Sequence, residues 1–298
     1  VLDLGGRVIR PAAVEAVTSR FNEFYGHAAI LREYMGAGDD RLKVVGQIQH
    51  GWSVGGNVYT DPKPLYIWNS RSAGWIRQLS AIAEEDIRLI GSPYLYLPAA
   101  PDLMDIGRVP SSLLALPQHS TSGHRFEDAY KTWHAYGCWL AQVRDEARLE
   151  QVTACLHEND YNDLGVRLAL GRCGICVATC GDARMMRTTY LDRMRALALQ
   201  HGAVTSNAMG TALVYAAYEG RPVFIGGPPP TMVAVKNTPE EMYPSVYDPE
   251  WLDREFPGWR CPWQAAEPRR ADAERELGAS YKRTRAELWD MMDLAVMP

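Results

Sequence analysis

The chain has 298 residues, 47% of them hydrophobic, and its 31 basic and 36 acidic residues leave a formal charge of −5. That length and apolar share suit two ordinary domains or one large one, each with a full core, and with no Lys/Arg block or basic stripe, nucleic acid is excluded as an expected partner. No apolar run approaches the roughly 18 to 20 residues that span a bilayer, and the opening VLDLGGRVIRPAAV lacks the apolar centre of a signal peptide. A cytoplasmic home without a membrane span is expected, with peripheral membrane association left open and oligomeric state unspecified.

In chain order, apolar periodicity predicts a helix from about Pro11 to Met35, a strand Lys43 to Gln49 entering His50-Gly51-Trp52 and a strand Leu65 to Trp68. A helix from about Ser72 to Ala83 and a strand Ile87 to Ile90 follow. Ala99 to Pro110, AAPDLMDIGRVP, has the Pro and Gly content of a linker. Beyond it the alternation becomes regular. A strand Leu113 to Leu116 runs into PQHSTSG, a long helix covers Phe126 to Arg148, and a strand Gln151 to Leu156 ends at HEND. Next come a helix Leu164 to Leu170, a strand Ile175 to Thr179 and an amphipathic helix Met185 to Gln200. Ala203 to Ile225, AVTSNAMGTALVYAAYEGRPVFI, reads as strand, loop, helix, strand. A wrap rich in Pro and aromatics follows, and a charged helix without caps is expected from about Ala271 to Leu294.

Strands separated by helices imply parallel sheets covered on both faces, with ligands outside the strands' carboxyl ends. The expected fold is α/β: two Rossmann-like lobes, residues 1–105 and 106–270, with parallel sheets and a cleft between them. Residues 271–298 are expected to pack back on the first lobe.

Polar clusters follow the predicted strands. His50 stands after the first, where a histidine can act as general base or simply hydrogen-bond at a turn. His119, Ser120 and Thr121, with His124 nearby, follow the strand at Leu113; they can contact phosphate, or a hydroxyl can cap the next helix. His157, Glu158, Asp160 and Asp163 match no trusted metal-ligand spacing, and a carboxylate there can instead hydrogen-bond a sugar hydroxyl. Gly181 and Asp182 read as a turn and a cap. In the loop Thr205, Ser206, Asn207, Gly210 and Thr211, a helix begins beside small polar side chains, a ready anion site. The competing reading is that Ser206 or Asn207 merely caps that helix.

Of six cysteines, Cys173, Cys176 and Cys180 form C-x2-C-x3-C, a spacing that raises a metal or iron–sulfur reading. GICVAT has the look of a buried strand, whose alternate side chains face opposite ways, so buried reduced thiols are expected and no metal or cofactor. Trp52, Trp68 and Trp75 are the tryptophans placed to stack on a sugar, although core packing is the commoner use.

The strand ending in QHGW, the segments GSPYLYLP and LPQHST, and above all TSNAMGTALVYAAYEGRPVFI resemble bacterial capsular and cell-surface polysaccharide glycosyltransferases of the GT-B architecture. Polysialyltransferases, Kdo transferases and CDP-glycerol glycerophosphotransferases share that layout. The resemblance spans roughly Val44 to Ile225. It implies a GT-B fold with an acceptor-side lobe and a nucleotide-donor lobe, and a glycosyl unit moved from a nucleotide-activated donor to a saccharide or other small-molecule hydroxyl acceptor. It also implies His50 as base, with His119 and the Thr205 to Thr211 loop on the donor phosphate; Ser120, Thr121 and Glu158 are further donor-side candidates, the carboxylate toward a ribose or sugar hydroxyl. Gln118 and Ser120 flank His119 where polysialyltransferases carry a His-Pro pair, so the nucleotide does not carry over. No D-x-D stands at a predicted strand end, which fits metal-independent transfer. A nucleotide-sugar epimerase, a polyol-phosphate transferase and a non-catalytic scaffold of the same shape are the alternatives.

Overall fold

A computed structural model describes residues 2–4, 7–9, 18–38, 41–52, 62–79, 82–99, 107–121, 123–183, 189–235 and 248–296. Contacts divide the chain into one unit of Val1–Ala99, Ala183–Asp192 and Glu274–Pro298 and a second of Ala100–Asp182 and Arg193–Ala273.

In the first unit, strands β1 (Leu2–Leu4) and β2 (Arg7–Ile9) pair antiparallel. The helix predicted from Pro11 begins only at α1 (His27–Met35); residues 11–17 lie outside the described set. Before α1 runs a 3-10 stretch, Arg20–Gly26, interrupted where Phe24 turns extended and Tyr25 adopts φ 57°. The predicted strand Lys43 to Gln49 also splits, into β3 (Leu42–Val44) and β4 (Gln47–Ile48). Gly46 causes the break: its φ is +88°, and a Cβ there would lie 2.1 Å from the Pro64 carbonyl oxygen. Buried Asn22 satisfies the broken ladder. Its Nδ2 donates to the carbonyls of Val44 and Gly46 at 3.1 and 2.9 Å, and its Oδ1 accepts from the Ile48 N–H at 2.8 Å.

Strand β5 (Leu65–Ile67), helix α2 (Ser70–Leu79) and strand β6 (Ile87–Leu89) complete a small parallel sheet in the order β4-β5-β6. Leu65, Ile67, Ala73, Ile76 and Ile82 form its buried core.

The second unit is built on a six-stranded sheet. In chain order its elements are β7 (Val109–Ala115), β8 (His124–Phe126), α3 (Ala129–Ala147), β9 (Gln151–Leu156), α4 (Glu158–Asn162) and α5 (Leu164–Arg172). They continue as β10 (Cys176–Thr179), α6 (Thr189–Gln200), β11 (His201–Ser206), α7 (Thr211–Tyr218), β12 (Pro222–Ile225), β13 (Met232–Ala234), α8 (Pro249–Glu255) and β14 (Glu267–Pro268). The sheet order is β10-β9-β7-β11-β12-β14, parallel except for β14, and β8 pairs antiparallel with β13 outside it. The long helix starts three residues later than Phe126 because Phe126 ends β8 and Asp128 supplies the cap, accepting from the Lys131 N–H at 2.9 Å.

Alternation places Leu113 and Ala115 of β7 and Val152, Ala154 and Leu156 of β9 on one face. There they pack with Trp133, Tyr136, Leu140 and Val143 of α3 and Val166, Ala169 and Leu170 of α5. Each side chain of this size removed from water contributes about 1.5–3 kcal/mol, so this cluster anchors the sheet that carries the loops described below.

The tail differs from the single uncapped helix predicted. It forms α9 (Arg270–Leu277), a 3-10 turn Ala279–Tyr281, α10 (Arg285–Met291) and strand β15 (Leu294–Val296), the last antiparallel to β3. Gly278, at φ +68° with Trp68 O 1.8 Å from where its Cβ would be, forces the break, and Thr284 with Glu287 forms a capping box that starts α10. Glu276, buried, accepts from Trp52 Nε1 at 2.7 Å and Arg71 Nη1 at 3.0 Å. Trp52 and Trp68 are thus core residues rather than sugar platforms, while half-buried Trp75 lies under Arg71, 5.9 Å from the guanidinium carbon.

Candidate functional site

From β7, the chain adds β9 and β10 on one side, then returns to add β11 and β12 on the other. The direction of winding therefore reverses between β7 and β11. In open parallel sheets such a reversal leaves a crevice outside the strands' carboxyl ends, because the two connecting loops part in opposite directions. The loops that leave there are PQHSTSG from β7 and NAMG from β11. Asn207 ties them together: its Oδ1 accepts from the Gln118 backbone N–H at 2.9 Å.

The helix that follows, α7, has no side-chain cap. Gly210 is its N-cap residue, and neither Ser206 nor Asn207 caps it: the Ser206 Oγ accepts from the Ala208 N–H at 3.2 Å and Asn207 is spent on Gln118. Gly210 has φ −167°, a conformation any residue adopts, and a Cβ added there would meet nothing within 4 Å. Backbone geometry and packing leave its side chain unspecified, and among the described residues the space at its Cβ position is open. The first-turn N–H groups and the helix dipole make that space attractive to an anion.

On the β7 side the cap reading fails as well. The Ser120 Oγ donates to Asp160 Oδ1 at 2.6 Å and its N–H to Asp160 Oδ2 at 3.0 Å, while Thr121 Oγ1 accepts from the N–H groups of Gly123 and His124 at 3.2 and 3.0 Å. The Ser120 hydroxyl therefore faces Asp160. Thr205 is fully buried, and its hydroxyl donates to the Phe224 carbonyl at 3.1 Å inside the sheet.

His119 lies 2.8 Å through Nδ1 from the Ser120 carbonyl and stacks on His157 at 4.3 Å and 13°. A carbonyl oxygen only accepts, so Nδ1 carries the proton and the neutral ring offers a lone pair at Nε2. To donate to phosphate through Nε2 the ring must become imidazolium.

Half-buried Glu158 stands in the first turn of α4, but the carboxylate that reaches the His119 loop is Asp160, only 4% exposed. Burial raises its carboxyl above the ordinary range, while the two Ser120 hydrogen bonds and nearby His119 pull it back. Asp160 is the residue that sequence reasoning passed over in favour of Glu158. The available signal was its position in the turn after β9, the strand next to β7. Gly181 turns at φ +95°, and Thr179 Oγ1 accepts its N–H at 3.1 Å.

In the other unit, His50 follows β4. It is half-buried, with the rings of Tyr25, Phe24 and Phe21 at 4.9, 5.2 and 5.9 Å. Behind it His27 is fully buried, and neither of its ring nitrogens meets a hydrogen-bonding partner among the described residues.

The cysteines divide differently from the buried-thiol expectation. Cys138 and Cys176 are exposed, Cys180 pairs with buried Cys155 at 3.7 Å, and Cys173 lies 3.6 Å from Cys138, so the three cysteines of C-x2-C-x3-C go to different surroundings.

No protein-family model and no curated protein matches this chain. Among solved structures it is similar to the wall teichoic acid polymerase TagF, with a TM-score of 0.41 at 15% identity over 76% of this chain and 56% of that one. It is also similar to Os79 from O. sativa in complex with UDP, with a TM-score of 0.35 at 13% identity over 75% and 50% of the two chains. A UDP-glucosyltransferase from Polygonum tinctorium gives 0.30 at 13% identity over 75% and 45%. The chain spans about half the length of these structures. At this level of likeness no activity transfers to it, and the chemistry rests on its own residues. Among the described residues no helix is long and apolar enough to cross a membrane.

Proposed function

We propose that the protein is a glycosyltransferase that moves a sugar from a nucleotide-activated donor to a hydroxyl acceptor, without a metal, in the making of a surface polysaccharide or glycoconjugate. One observation carries the reading: the N-terminus of α7, where Gly210 supplies no side-chain cap, stands where the strand order reverses between β7 and β11. Departure of the nucleotide builds negative charge on its phosphate. Preorganised N–H dipoles of α7 and an imidazolium at His119 stabilise that charge as it develops. Asn207 and Ser206 hold the loop, Asp160 holds the His119 loop, and Thr121 keeps its turn closed. His50 is the proposed base that takes the acceptor's proton.

The test is a thermal-shift screen with CMP, CDP and UDP, followed by product analysis with the corresponding sugar donors. One nucleotide should stabilise the fold, a glycosylated acceptor should form, and turnover should fall about 100-fold or more in His50→Ala, the usual scale for losing a general base. Turnover near the wild-type rate in that variant removes His50 from the role. An epimerised donor or a transferred polyol phosphate would name a different enzyme on this architecture, and stabilisation by none of the nucleotides would favour a scaffold.

A further inference from the structure

We propose that His134, Cys138 and Cys173 form a binding site for a thiophilic divalent cation of the zinc type, with a fourth coordination position open to water. His134 and Cys138 lie one turn apart on the same face of α3, and Cys173 is the C-cap residue of α5. The Cys138 Sγ is 3.6 Å from the Cys173 Sγ and 3.7 Å from His134 Nδ1, and the three ligand atoms all lie within 4.8 Å of one another. Zinc bonds of about 2.3 Å to sulfur and about 2.0–2.1 Å to nitrogen, at tetrahedral angles, require separations of about 3.8 Å between sulfurs and about 3.6 Å between sulfur and nitrogen. The two spacings from Cys138, to Cys173 and to His134, match those edges.

The surroundings are built to hold this arrangement. Gly137 sits between the two α3 ligands, and a Cβ there would lie 3.0 Å from the Cys173 Sγ. A glycine inside a helix is unfavourable relative to alanine; here it makes the room that lets Cys173 come against α3. Arg144 Nη1 donates to the carbonyls of Cys173 and Gly174 at 3.4 and 3.2 Å, fixing the turn. Tyr130 stacks on His134 at 5.9 Å and 16°, and Arg172 donates to the Tyr130 hydroxyl at 2.6 Å. His134 and Cys173 are half-buried and Cys138 is exposed, so solvent can supply the fourth ligand.

Binding exchanges two S–H bonds for two metal–thiolate bonds and releases two protons to solvent, with no change of oxidation state. The ion would staple the C-terminal end of α5 to the middle of α3, on the layer that covers the sheet. It stands apart from the proposed transfer chemistry. The cysteine motif visible in the sequence, Cys173 with Cys176 and Cys180, contributes one ligand only; the other two, Cys138 and His134, come from α3, 35 and 39 residues earlier.

The experiment uses the full chain, reduced and chelator-treated, titrated with Zn(II) against a chromogenic competitor and with Co(II) by visible absorption. The expected results are one equivalent bound, a thiolate-to-cobalt charge-transfer band, and a rise in melting temperature with Zn(II). Cys138→Ser, at an exposed position, and His134→Ala should each weaken binding by more than the roughly 10- to 100-fold that losing an outer-shell partner costs. Cys176→Ser should leave it unchanged. The proposal is overturned if Co(II) gives no charge-transfer band, or if Cys138→Ser binds as the wild type does. It is equally overturned if the reduced chain takes up no metal while air oxidation links Cys138 to Cys173, which would make the pair a disulfide instead.

Discussion

Burial, with His50 beside it, lowers the His27 imidazole from its ordinary 6.5 to about 3. The folded chain holds it neutral, whereas the unfolded chain takes up a proton below pH 6.5. Stability is therefore complete above that pH and falls as pH drops toward about 3, at about 1.4 kcal/mol for each unit. His201 is lowered in the same direction by burial, against the opposing hydrogen bond to the Leu197 carbonyl. Urea unfolding at pH 7 and pH 5 should show a loss of about 2 kcal/mol from His27 alone, absent in His27→Leu. An unchanged pH slope in that variant would show that His27 is not the group responsible. Nothing in HAAILREYM marks His27 as buried, yet it lies on the buried face of α1, just after the break at Tyr25.

At the scale of elements, regular alternation between Leu113 and Ile225 makes the second unit legible, because parallel strands and their helices are buried and carry strong apolar runs. Gln151 to Leu156 matches β9 at both ends. The first unit is less legible because long-range polar contacts set its breaks. Asn22 bridges β3 to β4 from more than twenty residues away, and Gly278 ends α9 against Trp68. Neither has a local signature. The same holds for Asp160, whose partner lies forty residues earlier. Asp160→Ala leaves both Ser120 donors without their acceptor, at a cost of about 1–3 kcal/mol. Urea unfolding should report that loss and titration a nucleotide affinity about 10-fold weaker, the equivalent of about 1.4 kcal/mol. Wild-type stability and affinity together would show that Asp160 does not organise the His119 loop.

For the whole molecule, the candidate site follows from the winding of one sheet. Five parallel strands and their reversal between β7 and β11 put the His119 loop and the α7 terminus side by side. The loop residues Ser206, Asn207, Gly210 and Thr211 are visible in the sequence as an anion site or a cap. What separates those readings is Gly210: it caps α7 without a side chain, and among the described residues nothing lies within 4 Å of its Cβ position. Calorimetric titration of wild type and Gly210→Val with CMP, CDP and UDP tests the claim most directly. The valine fits the backbone and touches nothing within 4 Å at its Cβ, so melting temperature should hold while nucleotide affinity falls by about 10-fold or more, the equivalent of at least 1.4 kcal/mol. Equal nucleotide binding by the variant, or none by the wild type, would contradict a donor phosphate at the α7 terminus.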